Sequence, residues 1–385
     1  MKIMVLGVGT IGKVIIKDLI ENWEVDEILA VDYNYKDLRR FVREVDDPRV
    51  IPLKGDIRDI DNTAEQMSKA DYIVNATWYE FNIHAIKAML KAKRDMIDLG
   101  GLYWMTKKEL EWDDELKRAG LTLIIGAGDD PGTSNIFARL GSQKLDDVRE
   151  IHIRWGGRNM EEEAKESFGF SVLTIMDEAT MNAVIYRGGR YIEVPPLSEK
   201  EFTYFPEPIG YQYTYAIIHS ELATLPWTIE GVDTVTYKDT WDEKAIEIIS
   251  FMKAIGLTSR DEIDVMGIKI SPVKVLAALI RPYESTSYVG CLKVSVAGFK
   301  DDVKTTYTYY LGPLRYNEKW SAGVTAYTTA LGATAALRLL VDGDVSRKGV
   351  VPPELVDKPE KWIHELLKRN IAIKEVVERS GDIKL

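Results

Sequence analysis

The sequence predicts an α/β chain in which a doubly wound parallel sheet is followed by a second, α+β domain with a mixed sheet. Three observations predict it. Short apolar runs alternate with helical segments through the first third, a glycine-rich turn follows the first run, and the patterning changes after Ile125. The runs are Ile3–Leu6, Ile28–Val31, Val50–Leu53, Tyr72–Ala76, Met96–Leu99 and Leu121–Ile125. Their length and continuous hydrophobicity suit strands buried on both faces. Between them, Ile11–Ile20, Ile83–Ala92 and Thr106–Ala119 carry apolar residues at helical spacing, and such alternation implies a parallel sheet covered by helices. Gly126, Gly128, Pro131 and Gly132 then cluster as turn chemistry, and Arg149–Trp155 alternates like a half-buried strand. Further strands are expected at Tyr191–Val194, Val232–Tyr237, Leu292–Ala297 and Thr305–Leu311, with helices at Asp177–Tyr186 and Glu243–Ala254. From about Ser321 the chain reads as helical again. Its uncharged stretch Ala322–Leu337 is shorter than the ~20 apolar residues of a membrane span, so a buried helix is expected.

Composition narrows the function classes. With 385 residues and domains of about 100–200 residues, two domains are expected. Hydrophobic residues at 45% and charged residues at 29% exclude a disordered or fibrous chain. A net charge of −11 argues against nucleic acid and membrane surfaces as partners, since both need basic patches, and leaves a small-molecule substrate. The single cysteine, Cys291, and four scattered histidines offer neither a disulfide nor metal-ligand spacing, so no metal is expected. Met1 and Lys2 lead straight into a strand pattern, so a cytoplasmic protein without a secretory signal is expected. The charged run Glu161–Glu166, near Gly156 and Gly157, reads as a surface loop or a flap over a cleft.

The turn after the first run is Gly7-Val8-Gly9-Thr10-Ile11-Gly12, a complete GxGxxG that leaves a strand and opens a helix. In that context the motif is the dinucleotide fingerprint of a Rossmann unit. Gly7 permits the tight turn, Gly9 lets the backbone approach a pyrophosphate, and Gly12 lets helix and strand pack. Thr10 and Ile11, at the helix N-terminus, add amide donors. Asp32 ends the second strand about 20 residues on, where a carboxylate accepts from the adenosine ribose hydroxyls and repels a 2′-phosphate. NAD is therefore the expected cofactor, while Arg39 and Arg40 on the next helix keep NADP open. Asp56 and Ile57 follow the third strand where an adenine would lie, though Asp56 reads equally as a helix N-cap. Asn75, Ala76 and Thr77 close the fourth strand and complete the cofactor set, because ligands sit at the carboxyl ends of such strands.

Hydride transfer needs a substrate carbon beside the nicotinamide and a group that moves a proton. The fifth and sixth strand ends supply Met96-Ile97-Asp98-Leu99-Gly100-Gly101 and Ile125-Gly126-Ala127-Gly128-Asp129-Asp130-Pro131-Gly132-Thr133-Ser134-Asn135. The second of these is similar to the G-x-x-PG-x-x-N/H segment of the saccharopine dehydrogenase family, which includes lysine 6-dehydrogenases and carboxynorspermidine dehydrogenases. His219-Ser220-Glu221-Leu222-Ala223-Thr224-Leu225-Pro226 resembles the H-x-E-x-x-TLP segment of its lysine 6-dehydrogenase-like members. Lys348-Gly349-Val350-Val351-Pro352-Pro353-Glu354 resembles their KGV-x-PPE ending. The resemblance runs nearly end to end. It implies NAD(P)-dependent chemistry at an amine-bearing carbon, through an imine, on amino-acid or polyamine-like substrates, in a homodimer. It also implies that C-terminal helices return to the Rossmann domain, giving a first domain of 1–128 with 322–385 and a substrate-binding and dimerisation domain of 129–321. The chain departs from the family pattern at Ala330-Leu331-Gly332 and in the additional acid Asp129.

Asp130 is the first catalytic candidate, because a carboxylate beside the nicotinamide can hold a substrate ammonium and accept its proton; Asp-Pro-Gly is also turn and N-cap chemistry. His219, with Glu221 beside it, is the second on the resemblance, against the reading of a satisfied core histidine. Asp98 either binds a substrate amine or caps the Gly100-Gly101 turn. Arg281 suits a bidentate carboxylate clamp or a plain surface position. Tyr103 and Trp104 are expected in the pocket wall, and Asn135 and Thr224 complete the substrate set within the family-like segments. The leading reading is oxidative deamination of the L-lysine ε-amine. The alternatives are reductive condensation of an aldehyde with an amine, of the saccharopine or carboxynorspermidine type, and a non-catalytic NAD-binding regulator.

Overall fold

Six strands, β1 (Lys2–Leu6), β2 (Glu27–Asp32), β3 (Val50–Lys54), β4 (Tyr72–Asn75), β5 (Asp95–Asp98) and β6 (Thr122–Ile124), stand where the apolar runs place them in the computed structural model, which describes residues 1–161, 169–280 and 285–380. Between them lie α1 (Thr10–Asn22), α2 (Tyr35–Val45), α3 (Ile60–Met67), α4 (Asn82–Ala92), α5 (Tyr103–Leu110) and α6 (Asp113–Ala119). Where one helix is expected over Thr106–Ala119, two form. The acidic Asp113, Asp114 and Glu115 fall in the first turn of the second helix, where its dipole favours them, and Gly120 closes it in the left-handed region.

The second half holds α7 (Thr133–Ser142), β7 (Asp147–Asn159), α8 (Val172–Thr180), β8 (Ala183–Arg187), β9 (Arg190–Val194), β10 (Ser198–Phe205) and β11 (Gly210–Ala216). It continues through α9 (Leu225–Thr228), β12 (Thr234–Thr240), α10 (Glu243–Ala254), β13 (Ile263–Val265), β14 (Ile268–Ile270), α11 (Pro272–Leu279), β15 (Tyr288–Lys300) and β16 (Val303–Arg315). Then come α12 (Val324–Val341), β17 (Gly349–Val351), α13 (Pro359–Lys368) and β18 (Ile373–Ser380). The helix expected over Asp177–Tyr186 stops at Thr180. Ala183-Val184-Ile185-Tyr186 favours a strand, and it pairs with β9. The run Glu161–Glu166 lies, apart from Glu161, outside the described residues.

The first sheet is parallel, in the order β17-β6-β5-β4-β1-β2-β3. The second is mixed, in the order β10-β11-β12-β7-β15-β16-β18, with β8 and β9 branching from β12. The segment after Ser321 therefore divides: β17 extends the first sheet, while β18 pairs with β16 in the second. The grouping of all of 322–385 with the first domain fails for β18, whose alternating residues suit a sheet edge.

The apolar helix α12, long enough by composition to cross a bilayer, lies in the core instead. It packs against α1, β4, β5, β15 and α13, tying the two sheets together. Its alanines and glycine permit that approach: a Cβ on Gly332 would overlap the carbonyl of Gly128. At the other end of the bundle, the buried Arg369 donates bidentately to Asp18 of α1, at 2.6 and 2.8 Å, and to Glu365 at 2.9 Å. This satisfies three charges that could not otherwise be buried. We expect Gly332→Ala, a backbone collision with no flexible partner to yield, to cost about 1–3 kcal/mol. A lowering of the melting temperature by several degrees would register it, and an unchanged melting temperature would contradict the packing described.

Candidate active site

The cofactor cradle is built from backbone. Gly7 sits at φ +92°, and a Cβ there would lie 2.7 Å from the Ala76 carbonyl oxygen. A Cβ on Gly12 would overlap the Gly7 carbonyl, whereas one on Gly9 would meet nothing within 4 Å. The middle glycine thus faces open space at the mouth of α1, whose first turn holds no acidic residue and no side-chain cap. Free amides and the helix dipole make this a place for a pyrophosphate. Asp32 accepts from the amides of Val8 and Asn34, each at 2.7 Å. One carboxylate therefore joins the end of β2 to the glycine loop and retains lone pairs for a ribose. The residues present fit a dinucleotide.

In front of the cradle opens a cleft of about 330 Å³ that Gly9, Thr10, Ala76 and Thr77 line from the first domain. The opposing wall brings in Asp130, Glu178, His219, Tyr237 and Asp239. Neither lysine nor arginine occurs among its described lining residues. His219 is buried, hydrogen-bonded through Nδ1 to the buried Glu221, and stacked on Tyr237 at 3.7 Å between ring centroids. Glu221 is held in turn by the Ser134 hydroxyl at 2.7 Å, and the Tyr237 hydroxyl donates to Asp130. The Ser220 hydroxyl donates to the Gly101 carbonyl, locking this segment to the end of β5.

Burial and mutual repulsion govern the charges. Burial, then the neighbouring Asp129, pushes Asp130 well above the usual carboxylate range, against the opposing pull of His219 and Tyr237. Asp129 itself rises to about 7 by burial; neither of its oxygens has a hydrogen bond, and the Thr328 hydroxyl beside it is donated to the Val324 carbonyl. Asp239 is likewise raised to about 7 by burial, and Glu178 well above its ordinary value by burial and then by Asp239. Burial alone would lower His219, but Glu221, Asp130 and Asp239 together raise it. The cleft is a set of carboxyl groups poised to exchange protons for a cation.

The structure brings Asp130, His219, Gly9, Thr10, Ile11, Ala76 and Thr77 together in this cleft and assigns other tasks to several expected residues. Asp98 does not reach the cleft. Its Oδ1 accepts from Gly100 at 2.7 Å and Gly126 at 3.0 Å, so it caps both turns, with its pKa raised to about 6 by burial against those bonds. Asn135 and Thr224 are also structural: Asn135 donates to the buried Glu354 at 2.8 Å and is 3.4 Å from the Thr224 hydroxyl. Asn75 serves its own loop, bonding Asn82 at 3.0 Å and the Thr77 hydroxyl at 2.7 Å. Asp56 is paired with Arg58, and Asp59 rather than Asp56 caps α3; Ile57 is buried in the core beneath. Tyr103 is buried edge-on to Trp104, and neither lines the cleft. Trp78, Tyr79, Trp155 and Phe170 form the aromatic wall instead. Arg281 lies outside the described residues.

Besides the aromatic wall, Glu178, Tyr237 and Asp239 are cleft residues that sequence reasoning missed. Tyr237 and Asp239 stand on a strand of ordinary alternation, and Glu178 within a helical segment. Only the burial of their polar ends distinguishes them, and no sequence pattern reports it.

Comparison with known proteins places this geometry in context. Residues 3–124 match the saccharopine dehydrogenase NADP binding domain, and residues 128–371 the saccharopine dehydrogenase C-terminal domain. The chain is 24% identical over 395 residues to the carboxyaminopropylagmatine dehydrogenase of Synechocystis sp., covering 98% of each protein. It is 23% identical over 320 residues to the carboxynorspermidine synthase of Vibrio cholerae, covering 77% of this chain and 75% of that one. The structure of saccharopine dehydrogenase (L-Glu forming) from Saccharomyces cerevisiae superposes with a TM-score of 0.76 at 16% identity. That superposition covers 98% of this chain and 99% of the yeast one, so the fold is shared.

Cation binding in this cleft should strengthen with pH. Asp129 and Asp239, both near pH 7, are largely protonated at pH 6 and ionised at pH 8. A cationic amine, itself charged throughout this window, prefers the ionised cleft. Each proton released on binding contributes up to about tenfold in affinity per pH unit. Calorimetric titration of a diamine with NAD present, at pH 6 and pH 8, should show tighter binding at the higher pH; equal affinities would detach these acids from amine binding.

Proposed function

The chain belongs to the saccharopine dehydrogenase family, and from that premise we propose that its substrate is a carboxyalkylated amine of the polyamine kind. The reaction forms, or in reverse oxidises, the secondary C–N bond between an amine and a carboxylate-bearing aldehyde. One observation carries the reading: Asp130, Glu178 and Asp239 face a cleft whose described lining residues include no lysine or arginine. Such a wall attracts a substrate rich in positive charge. The relatives named for carboxyaminopropylagmatine and carboxynorspermidine support the same reading.

In the condensing direction, amine and aldehyde lose water to give an imine; hydride delivered to the imine carbon and a proton taken up at its nitrogen then give the secondary amine. A bound nicotinamide cofactor supplies or accepts that hydride. The chain's own residues handle the proton and the orientation. Asp130, steadied by Tyr237, holds the substrate nitrogen and exchanges its proton. His219 is fixed by Glu221 at Nδ1, which leaves Nε2 as the exchanging ring nitrogen, next in line to pass protons to solvent or to the departing water. Trp78, Trp155 and Phe170 exclude water from the apolar side of the cleft.

The cofactor reading favours NAD. Asp32 occupies the place where a 2′-phosphate would be repelled. Arg40 is engaged with Asp37 and Glu44, and Arg39 packs on the Tyr35 ring, so neither helix arginine is held toward β2. Replacing Asp32 by Ser should weaken NADH by about tenfold and narrow or reverse the preference over NADPH, followed by fluorescence titration of both; an unchanged ratio would remove Asp32 as the selector.

Purified protein with NADH, agmatine or a diamine, and a carboxylate-bearing aldehyde should consume NADH absorbance. The Asp130→Asn variant should lose about 10²–10⁴-fold in kcat while binding NADH as before. If lysine with NAD generates NADH and the amine–aldehyde pairs are inert, ε-deamination is the correct chemistry. An absence of turnover with every pair and with lysine would point to an NAD-binding regulator.

A further inference from the structure

Glu178 stands apart from the other buried acids. It is 6% exposed, it lines the cleft, and among the described residues no hydrogen bond or ion pair engages its carboxyl. Its chain neighbour Asp177 is fully occupied, accepting from Tyr79 at 2.7 Å and from Arg260 at 2.8 Å. Glu201, a more exposed acid of the same sheet, is answered by Arg154 and Lys238. A carboxyl withdrawn from water without a partner is costly unless it is neutral or met by a cation. Asp239 lies beside it on β12, with one oxygen accepting from the Thr240 amide at 2.6 Å. These two acids stand on α8 and β12, whereas Asp130 lies on the loop between β6 and α7, against the cofactor cradle. Trp155, Phe170 and Ile217 supply apolar wall, suited to a methylene chain.

We propose that Glu178 and Asp239 form a second cation subsite that reads a positively charged group remote from the reacting nitrogen, so that the preferred amine carries two or more cationic centres. This deepens the polyamine reading above and rests on it for the identity of the reacting nitrogen. The subsite is a specificity device. Asp130 holds the nitrogen that exchanges its proton, the apolar wall carries the spacer, and Glu178 with Asp239 measures whether a second charge stands at the far end. Monoamines of the same length satisfy only the first contact and leave Glu178 as unpartnered as before.

Equilibrium binding with saturating NAD tests it. Agmatine and 1,4-diaminobutane should bind the parent protein about tenfold or more tightly than butylamine, which has the same spacer and no second charge. Glu178→Gln should remove most of that preference, and Asp239→Asn, from a different element, should reduce it. Glu178→Asp, which keeps the charge, should retain part of it. A preference unchanged in both neutralised variants, or absent from the parent, would overturn the subsite. Should the preference behave as stated while no aldehyde partner is turned over, the subsite stands and the condensation chemistry falls. The two claims therefore fail separately.

Discussion

The carbonyl of Gly128 is the contact on which the arrangement depends. The Thr133 amide donates to it at 3.1 Å, Gly132 and Gly332 approach it closely enough that a Cβ on either would overlap it, and the Gly128 amide donates to the Pro131 carbonyl at 2.9 Å. The loop after β6, the first turn of α7 and the middle of α12 therefore meet at one point without side chains between them. Asp129 and Asp130 lie inside that knot. Their positions relative to the cofactor cradle are fixed by backbone packing, which is stiffer than any side-chain rotamer, and this is the rigidity a proton-exchanging group needs.

Given fixed positions, the chemistry follows from the imbalance of charge. Burial and mutual repulsion hold Asp129, Asp130 and Glu178 toward their protonated forms, and His219 is the neighbour that pulls Asp130 and Asp239 the other way. Neighbouring buried carboxyls cannot all be ionised in a low dielectric, so some retain protons until a positive ligand arrives. Asp129, with both oxygens unpartnered behind Asp130, keeps its neighbour's proton affinity high. An acid so tuned accepts a proton from an ammonium far more readily than an exposed aspartate would. The second acid of the pair thus has a physical consequence: it adds to burial in raising the proton affinity of Asp130.

The cofactor half was legible because its signals are local. Continuous apolar runs and GxGxxG depend on neighbouring residues only, and β1 to β6 fall where the runs lie. β17 was not legible as a member of the first sheet, since Gly349-Val350-Val351 acquires its meaning only by pairing with β6 more than two hundred residues earlier in the chain. The site was half legible. Asp130 and His219 could be read from their segments, but Asp98, Asn135 and Thr224 looked equally chemical and turn out to satisfy buried amides and a buried Glu354. Polar residues near a site hold its loops as often as they touch its ligand, and the sequence does not say which way a side chain turns.

Helix α8 shows how the second domain's fold positions a cleft carboxyl. Consecutive helical residues point about 100° apart, so Asp177 and Glu178 face different neighbours. Asp177 reaches the Tyr79 hydroxyl of the first domain and the Arg260 guanidinium, which also pairs with Glu80 and lies over the Trp78 ring at 5.5 Å. Tyr79 and Trp78 themselves line the cleft. One cluster therefore clamps α8 to the loop after β4 and sets how far Glu178 stands from the cradle. A helix so clamped can hold a carboxyl unpartnered and still in place, because the contacts that fix it are made by its neighbour. The distance at which Glu178 stands from the cofactor cradle is then a property of the domain interface, fixed through Asp177 and Arg260 rather than by any contact of Glu178 itself.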